Sequence, residues 1–155
     1  MGRSSKNEAP AFRGRYKHAI DDKGRLSIPA KFREILKKKR QNGLFLIEFD
    51  SCLAAYPPWE WRRFEEKFRS PSLFHREFQN FLRLFYSGAI ETSIDNQGRI
   101  LIPPRLRERT GLRREVVIIG ALNRIEIWSR ERWEQFEAEQ PSFEEMTAKL
   151  AELSI

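Results

Sequence analysis

The chain repeats itself. Residues 20–34 read Ile-Asp-Asp-Lys-Gly-Arg-Leu-Ser-Ile-Pro-Ala-Lys-Phe-Arg-Glu, and residues 94–108, 74 positions on, read Ile-Asp-Asn-Gln-Gly-Arg-Ile-Leu-Ile-Pro-Pro-Arg-Leu-Arg-Glu. Ile, Asp, Gly, Arg, Ile, Pro, Arg and Glu recur in register. Downstream the spacing slips to 72: Leu44 to Ile47 answer Val116 to Ile119, Leu53 to Tyr56 answer Ile125 to Trp128, and Trp61 and Phe64 answer Trp133 and Phe136. Such a repeat constrains the fold strongly, because one supersecondary unit is built twice and the copies bury apolar surface together. Each copy reads as strand, tight turn, strand, short helix, strand, turn, strand, helix.

The first strand alternates, with Phe12, Tyr16, His18 and Ile20 on one face and Arg13, Arg15 and Lys17 on the other. Asp21-Asp22-Lys23-Gly24 reads as a hairpin connection whose glycine takes the left-handed conformation, and Asp95 to Gly98 repeats it. Pro29 and Pro103 mark the change from strand to helix, with Phe32, Ile35 and Leu36 facing inward. Gly111 is placed to cap the second copy's helix, Ser129 the helix beginning at Arg130, and Ser142 the terminal one. Between the copies, Phe74, Phe78, Phe81, Leu82 and Phe85 recur at helical spacing, which predicts a packing helix over 70–86. The expected layout is an extension without fixed structure over 1–11, a first module over 12–69, that helix, a second module over 87–138, and a terminal helix over 139–155. The terminal stripe of Phe143, Met146, Leu150 and Leu153 suits either docking on its own domain or a partner.

Charge is uneven. Residues 1–40 carry 13 Lys/Arg against 4 Asp/Glu, whereas residues 41–155 carry 16 against 18. A concentrated basic excess points to a polyanion, although a solvated surface has the same composition. No stretch approaches the roughly 18 consecutive apolar residues of a membrane-spanning helix, and residues 1–10 lack the apolar run of a secretory leader. A cytoplasmic location is expected. The single cysteine, Cys52, has no second cysteine to share a disulfide or metal. No phosphate-cradling glycine loop, nucleophile elbow or paired-histidine zinc motif is present, so neither catalysis nor a cofactor is expected. Asp21 with Asp22 would suit Mg²⁺ in a nuclease, yet Asn96 stands in the second copy.

Arg25 and Arg99, each directly after its glycine, are the leading candidate binding residues. A rigid turn aims a guanidinium, whose planar fork fits phosphate oxygens or the guanine edge. Asp21 and Asp95, four residues earlier, can orient it. An Asp–Arg pair that merely closes the turn fits the same residues. In the first copy Arg13, Arg15, Lys17 and Lys23 add charge, whereas Ser87, Ala89 and Glu91 occupy the matching strand positions of the second. The second instead has Arg105, Arg107, Arg109, Arg113 and Arg114 downstream. Loss of Arg25 is therefore expected to weaken binding more than loss of Arg99.

The Asp-x-x-Gly-Arg-x-x-x-Pro turn, present twice and followed each time by a strand pair and a Trp-containing helix, resembles the MraZ family. That family lies within the superfamily of AbrB-like (SpoVT-AbrB) swapped-hairpin DNA-binding domains. Phe12-Arg13-Gly14, Gly88, Gly98 to Pro104, Thr110-Gly111-Leu112, Glu115-Val116-Val117, Glu126-Ile127-Trp128 and Leu150 to Ile155 carry the resemblance along nearly the whole chain. It implies an α+β fold of two AbrB-like modules forming a pseudo-two-fold swapped-hairpin or double-psi-like β-barrel with flanking helices. It also implies a nucleoid-associated regulator that binds repeated promoter boxes on double-stranded DNA, in the cell-division and cell-wall gene cluster that includes its own gene. A ring-shaped homo-oligomer follows from the same resemblance. An antitoxin-like or RNA-binding module and a purely structural ring protein are the alternatives.

Overall fold

A computed structural model describes residues 10–69 and 74–155. In each copy a short strand runs into the Asp-x-x-Gly turn, and in neither does it pair with the strand that leaves the turn. The first copy comprises β1 (Arg15–Ala19), β2 (Arg25–Ser27), α1 (Ala30–Lys38), β3 (Gly43–Phe49), β4 (Cys52–Tyr56) and α2 (Pro58–Phe68). After the connecting helix α3 (Arg76–Gly88), the second comprises β5 (Ile90–Ser93), β6 (Arg99–Leu101), α4 (Pro104–Thr110), β7 (Glu115–Gly120), β8 (Ile125–Ser129) and α5 (Arg130–Glu139), and α6 (Phe143–Glu152) follows.

The copies are joined by exchange of strands. The larger sheet has the order β1-β7-β8-β4-β3-β5, and β2 pairs with β6 in a ribbon of their own. All these pairings are antiparallel. First-copy β1 thus lies against second-copy β7, and second-copy β5 against first-copy β3. The expected hairpin needs correction. The turn keeps its local bonds, Asp21 N–H to Arg25 O at 2.9 Å and Gly24 N–H to Asp21 O at 3.0 Å, but beyond it the arms part. The apolar residues explain why. Leu26 of β2 is fully buried opposite Ile100 of β6, at equivalent positions of the two copies. That pairing removes two large aliphatic side chains from water, worth about 1.5–3 kcal/mol each.

One core results, filled by matched residues: Leu26 and Ile100, Ile28 and Ile102, Phe32 and Leu106, Leu44 and Val116, Leu46 and Ile118, Leu53 and Ile125. A second cluster gathers Ile47, Ala54, Tyr56 and Trp61 with Phe45, Phe64 and Phe85. Here α3 covers the first copy, Phe85 stacking on Trp61 at 5.2 Å between ring centroids. The caps fall as expected: Ser129 Oγ accepts from Arg132 N–H, Ser142 Oγ from Glu145 N–H, and Gly111 ends α4 with φ 69°.

Other boundaries move. The connecting helix begins at Arg76 and continues to Gly88, with residues 70–73 outside the described residues. Phe74 precedes it and is 97% exposed, so it does not belong to the packing stripe, and His75 is the residue before the first turn. The expected extension over 1–11 lies almost wholly outside the described residues. Among the described residues no helix is long and apolar enough to cross a membrane, and no group of His, Cys, Asp or Glu is arranged to hold a metal.

Candidate nucleic-acid interface

Each turn is organised by its aspartate. Asp21 Oδ1 accepts from the backbone N–H of Lys23 at 2.9 Å and of Arg25 at 2.8 Å, and Oδ2 accepts from Arg25 Nε at 2.7 Å. Asp95 does the same with Gln97 N–H (2.9 Å), Arg99 N–H (2.9 Å) and Arg99 Nε (3.0 Å). The backbone N–H of Arg25, above all, holds the Asp21 carboxyl below the usual carboxylate range, and that of Arg99 does so for Asp95. Both are therefore ionised at neutral pH. Each spends one oxygen on the turn backbone and the other on the guanidinium, and only Nε of each arginine is engaged. The Nη donors make no hydrogen bond among the described residues, leaving an oriented fork edge for an acceptor from outside.

The ribbon sets the two forks side by side. Leu26 and Ile100 face the core, so Arg25, Ser27, Arg99 and Leu101 share the opposite face. Arg25 stands across from Leu101, and Arg99 across from Ser27. The ribbon is held from beneath at equivalent places, His18 Nδ1 lying 2.7 Å from Ser27 O and Thr92 Oγ1 donating to Leu101 O at 3.4 Å.

The remaining candidates separate. Lys23 is exposed at the first turn, and Arg13 is exposed ahead of β1. Arg15 and Lys17 line a groove between β1 and α5 together with Glu115, Glu134 and Glu137, and neither turn contributes to it. Arg15 is engaged there, 2.8 Å from Glu137 and with its guanidinium carbon 5.8 Å from the Trp133 ring centroid. In the second copy Arg109 pairs with Glu48 at 2.6 Å.

Strand exchange also redistributes the basic residues between the turns. Arg33 and Lys37 of the first copy line a hollow with Asp95, Asn96 and Gly98 of the second. In return Arg107 packs on Gly24, and Arg114 reaches to 3.8 Å from Asp22. The basic field of the first forty residues is therefore shared with the second turn rather than reserved for Arg25. Arg33 and Arg107 were visible as in-register basic residues, but nothing in the sequence pairs either with the turn of the opposite copy.

Fold and site together define a duplicated α/β protein whose intertwined halves present two acid-braced arginines on one ribbon. The family model described as "MraZ protein, putative antitoxin-like" matches residues 11–84 and again 85–153. The chain belongs to the MraZ family. It is 47% identical over 147 residues to the transcriptional regulator MraZ of Heliobacterium modesticaldum, covering 93% of this chain and 99% of that one. The proteins of the same name from Moorella thermoacetica (45% over 147 residues, 93% and 99% covered) and Caldicellulosiruptor saccharolyticus (45% over 145 residues, 92% and 98%) are similar throughout.

Proposed function

We propose that this chain is a sequence-specific transcriptional regulator that docks its β2–β6 ribbon on double-stranded DNA, with Arg25 and Arg99 reading or gripping it. The observation that carries the reading is the pair of aspartate-aligned guanidinium groups, their Nη donors unspent, on one outward face. Lys23, Arg33, Lys37, Arg107 and Arg114 surround them with positive charge, which favours a polyanion and makes binding salt-dependent. Arg13, Arg15 and Lys17 are assigned at most an accessory role on the β1 side, since Arg15 is paired with Glu137 and shares with Lys17 a groove that also holds Glu115 and Glu134. The exchange of β1, β2, β5 and β6 between copies supports describing the fold as a pseudo-two-fold swapped-hairpin barrel. The relatives' shared name supports a role at promoters, and we assign as targets repeated boxes in the cell-division and cell-wall gene cluster, including the protein's own gene. Action there makes the protein cytoplasmic and nucleoid-associated. Exposed apolar residues on α3 and α6 support assembly into a homo-oligomeric ring, which would turn weak single contacts into strong binding across repeats. Neither catalysis nor a cofactor enters this function.

The test is fluorescence anisotropy with duplexes from the region upstream of the protein's own coding sequence, against scrambled duplexes and RNA of the same sequence. Preference for the upstream duplex, lost in Arg25→Ala/Arg99→Ala, is the expected result, and equal binding to all three sinks the proposal. The antitoxin-like wording of the family description favours one second reading, in which the ribbon is the DNA-binding end of a toxin-neutralising protein. Co-purification with the product of a neighbouring gene separates the two.

A further inference from the structure

Arg33 and Arg107 stand at equivalent positions in α1 and α4, and each anchors its side chain on its own copy. Arg33 Nε donates to Ile28 O at 2.9 Å, and Arg107 Nε to Ile102 O at 2.9 Å. The planar group beyond lies against the other copy's turn. A Cβ added to Gly98 would stand 2.8 Å from Cζ and Nε of Arg33, and one added to Gly24 would stand 3.1 Å from Cζ and Nη2 of Arg107. Both glycines also have positive φ, 78° and 83°. Backbone bonds cross the same way, Ile28 N–H to Gly98 O and Ile102 N–H to Gly24 O, each at 2.9 Å. Neither arginine has an acidic partner among the described residues.

We infer that Arg33 and Arg107 are positioning residues for the nucleic-acid interface, each setting the turn of the opposite copy: Arg33 holds Asp95 to Arg99, and Arg107 holds Asp21 to Arg25. The inference rests on the DNA-binding reading of the ribbon. The planar guanidinium gives an in-plane N–H to a carbonyl and lays the same flat group on a glycine. A lysine keeps the charge but has neither the plane nor the fork. The absence of a Cβ at Gly24 and Gly98 is thus matched to the arginine from the other half, as well as to the turn's own backbone. The bracing thus crosses between copies, the helix that follows each turn setting the turn of the other.

Crossed effects provide the test. In amide spectra of the full ¹⁵N-labelled chain, Arg33→Lys moves the signals of Gln97, Gly98 and Arg99 and leaves those of Lys23, Gly24 and Arg25 in place. Arg107→Lys does the reverse. Anisotropy with the upstream duplex gives the functional half: Arg33→Lys weakens binding about tenfold at unchanged net charge, the size of one well-placed arginine contact. That loss persists in an Arg25→Ala background and vanishes in an Arg99→Ala background. Signals that move in the same copy or equally in both, or losses that add in both backgrounds, overturn the inference. A parent chain that fails to bind the duplex overturns the DNA reading instead, while a crossed amide pattern in that chain still supports the bracing. If the lysine variants do not fold, Arg33→Met and Arg107→Met, which keep the packed stem, serve for the amide comparison, where a crossed pattern supports the inference and an uncrossed one overturns it.

Discussion

Arg25 and Arg99 project from one face of a two-stranded ribbon, Arg25 across from Leu101 and Arg99 across from Ser27, so the two guanidiniums stand diagonally about the Leu26–Ile100 pair. Neighbouring diagonal positions of an antiparallel pair lie about 7–8 Å apart, within the span of a few adjacent phosphates or base edges. The ribbon thus carries one aspartate-paired guanidinium from each copy on a single face.

The first prediction concerns the balance between those two guanidiniums. Charge along the sequence favours Arg25, but the fold places Arg33 and Lys37 beside the second turn and Arg107 and Arg114 beside the first. Arg25→Ala and Arg99→Ala are therefore expected to weaken binding to the upstream duplex by comparable amounts, roughly 5- to 150-fold for a lost contact of about 1–3 kcal/mol. If the contact is to phosphate, each should also flatten the log–log salt dependence by about 0.9. A gap of more than about tenfold between the two variants would restore the asymmetry the charge pattern suggests.

Acid dependence follows from the lowered carboxyls of Asp21 and Asp95. Their folded-state values lie below the unfolded value of about 3.9, so their contribution to the turns is complete above that pH and is lost as pH falls through the lowered values. Between pH 5 and 8 these aspartates should not change DNA affinity. Carboxyl carbon shifts followed by NMR should titrate with midpoints below 3.9, and a midpoint at or above it would contradict the bonding described.

The order of elements, the three caps and the paired Asp-Gly-Arg turns could be read from the residues, because each rests on local chemistry. Strand partnership could not. β3 and β7 are copies of one another, both predominantly apolar, so β1 would find a similar pattern in either, and only the fold assigns it to β7. β2 and β6 have three residues each, too few to display a period, and their burial follows from Leu26 meeting Ile100. The same blindness hid the role of Arg33: an arginine on a helix face reads as solvated charge until the glycine it covers arrives from the other copy.

Strand exchange predicts that neither copy folds alone. A fragment ending at Arg69 leaves β1 without β7 and β2 without β6, exposing Leu26, Ile28 and Phe32. Fragments 12–69 and 70–155 should each give unfolded amide spectra, whereas the full chain should unfold in one transition by circular dichroism and fluorescence alike. Ile100→Ala, which opens a cavity at the centre of the ribbon, should cost about 2–5 kcal/mol in denaturant titrations. A folded fragment 12–69 would contradict the interdependence of the halves.

The last prediction concerns α6. Phe143 is 82% exposed and Leu150 46% exposed on this helix, and Leu153 just after it is 60% exposed, although the helix is well formed and capped by Ser142. On α3, Leu84 (78% exposed) and Phe81 are uncovered in the same way. Apolar groups left in water on two separate helices suit contact between copies, since a patch that meets a different patch on the next subunit propagates until the arrangement closes into a ring. Removing residues 141–155 takes away only exposed or half-buried side chains, so thermal unfolding of the remaining chain should be nearly unchanged. Its mass in solution, measured by light scattering, should fall by whole multiples of the subunit, and binding to duplexes carrying several boxes should weaken far more than binding to a single box. A truncated chain with the parent's assembly mass would exclude α6 from the contact.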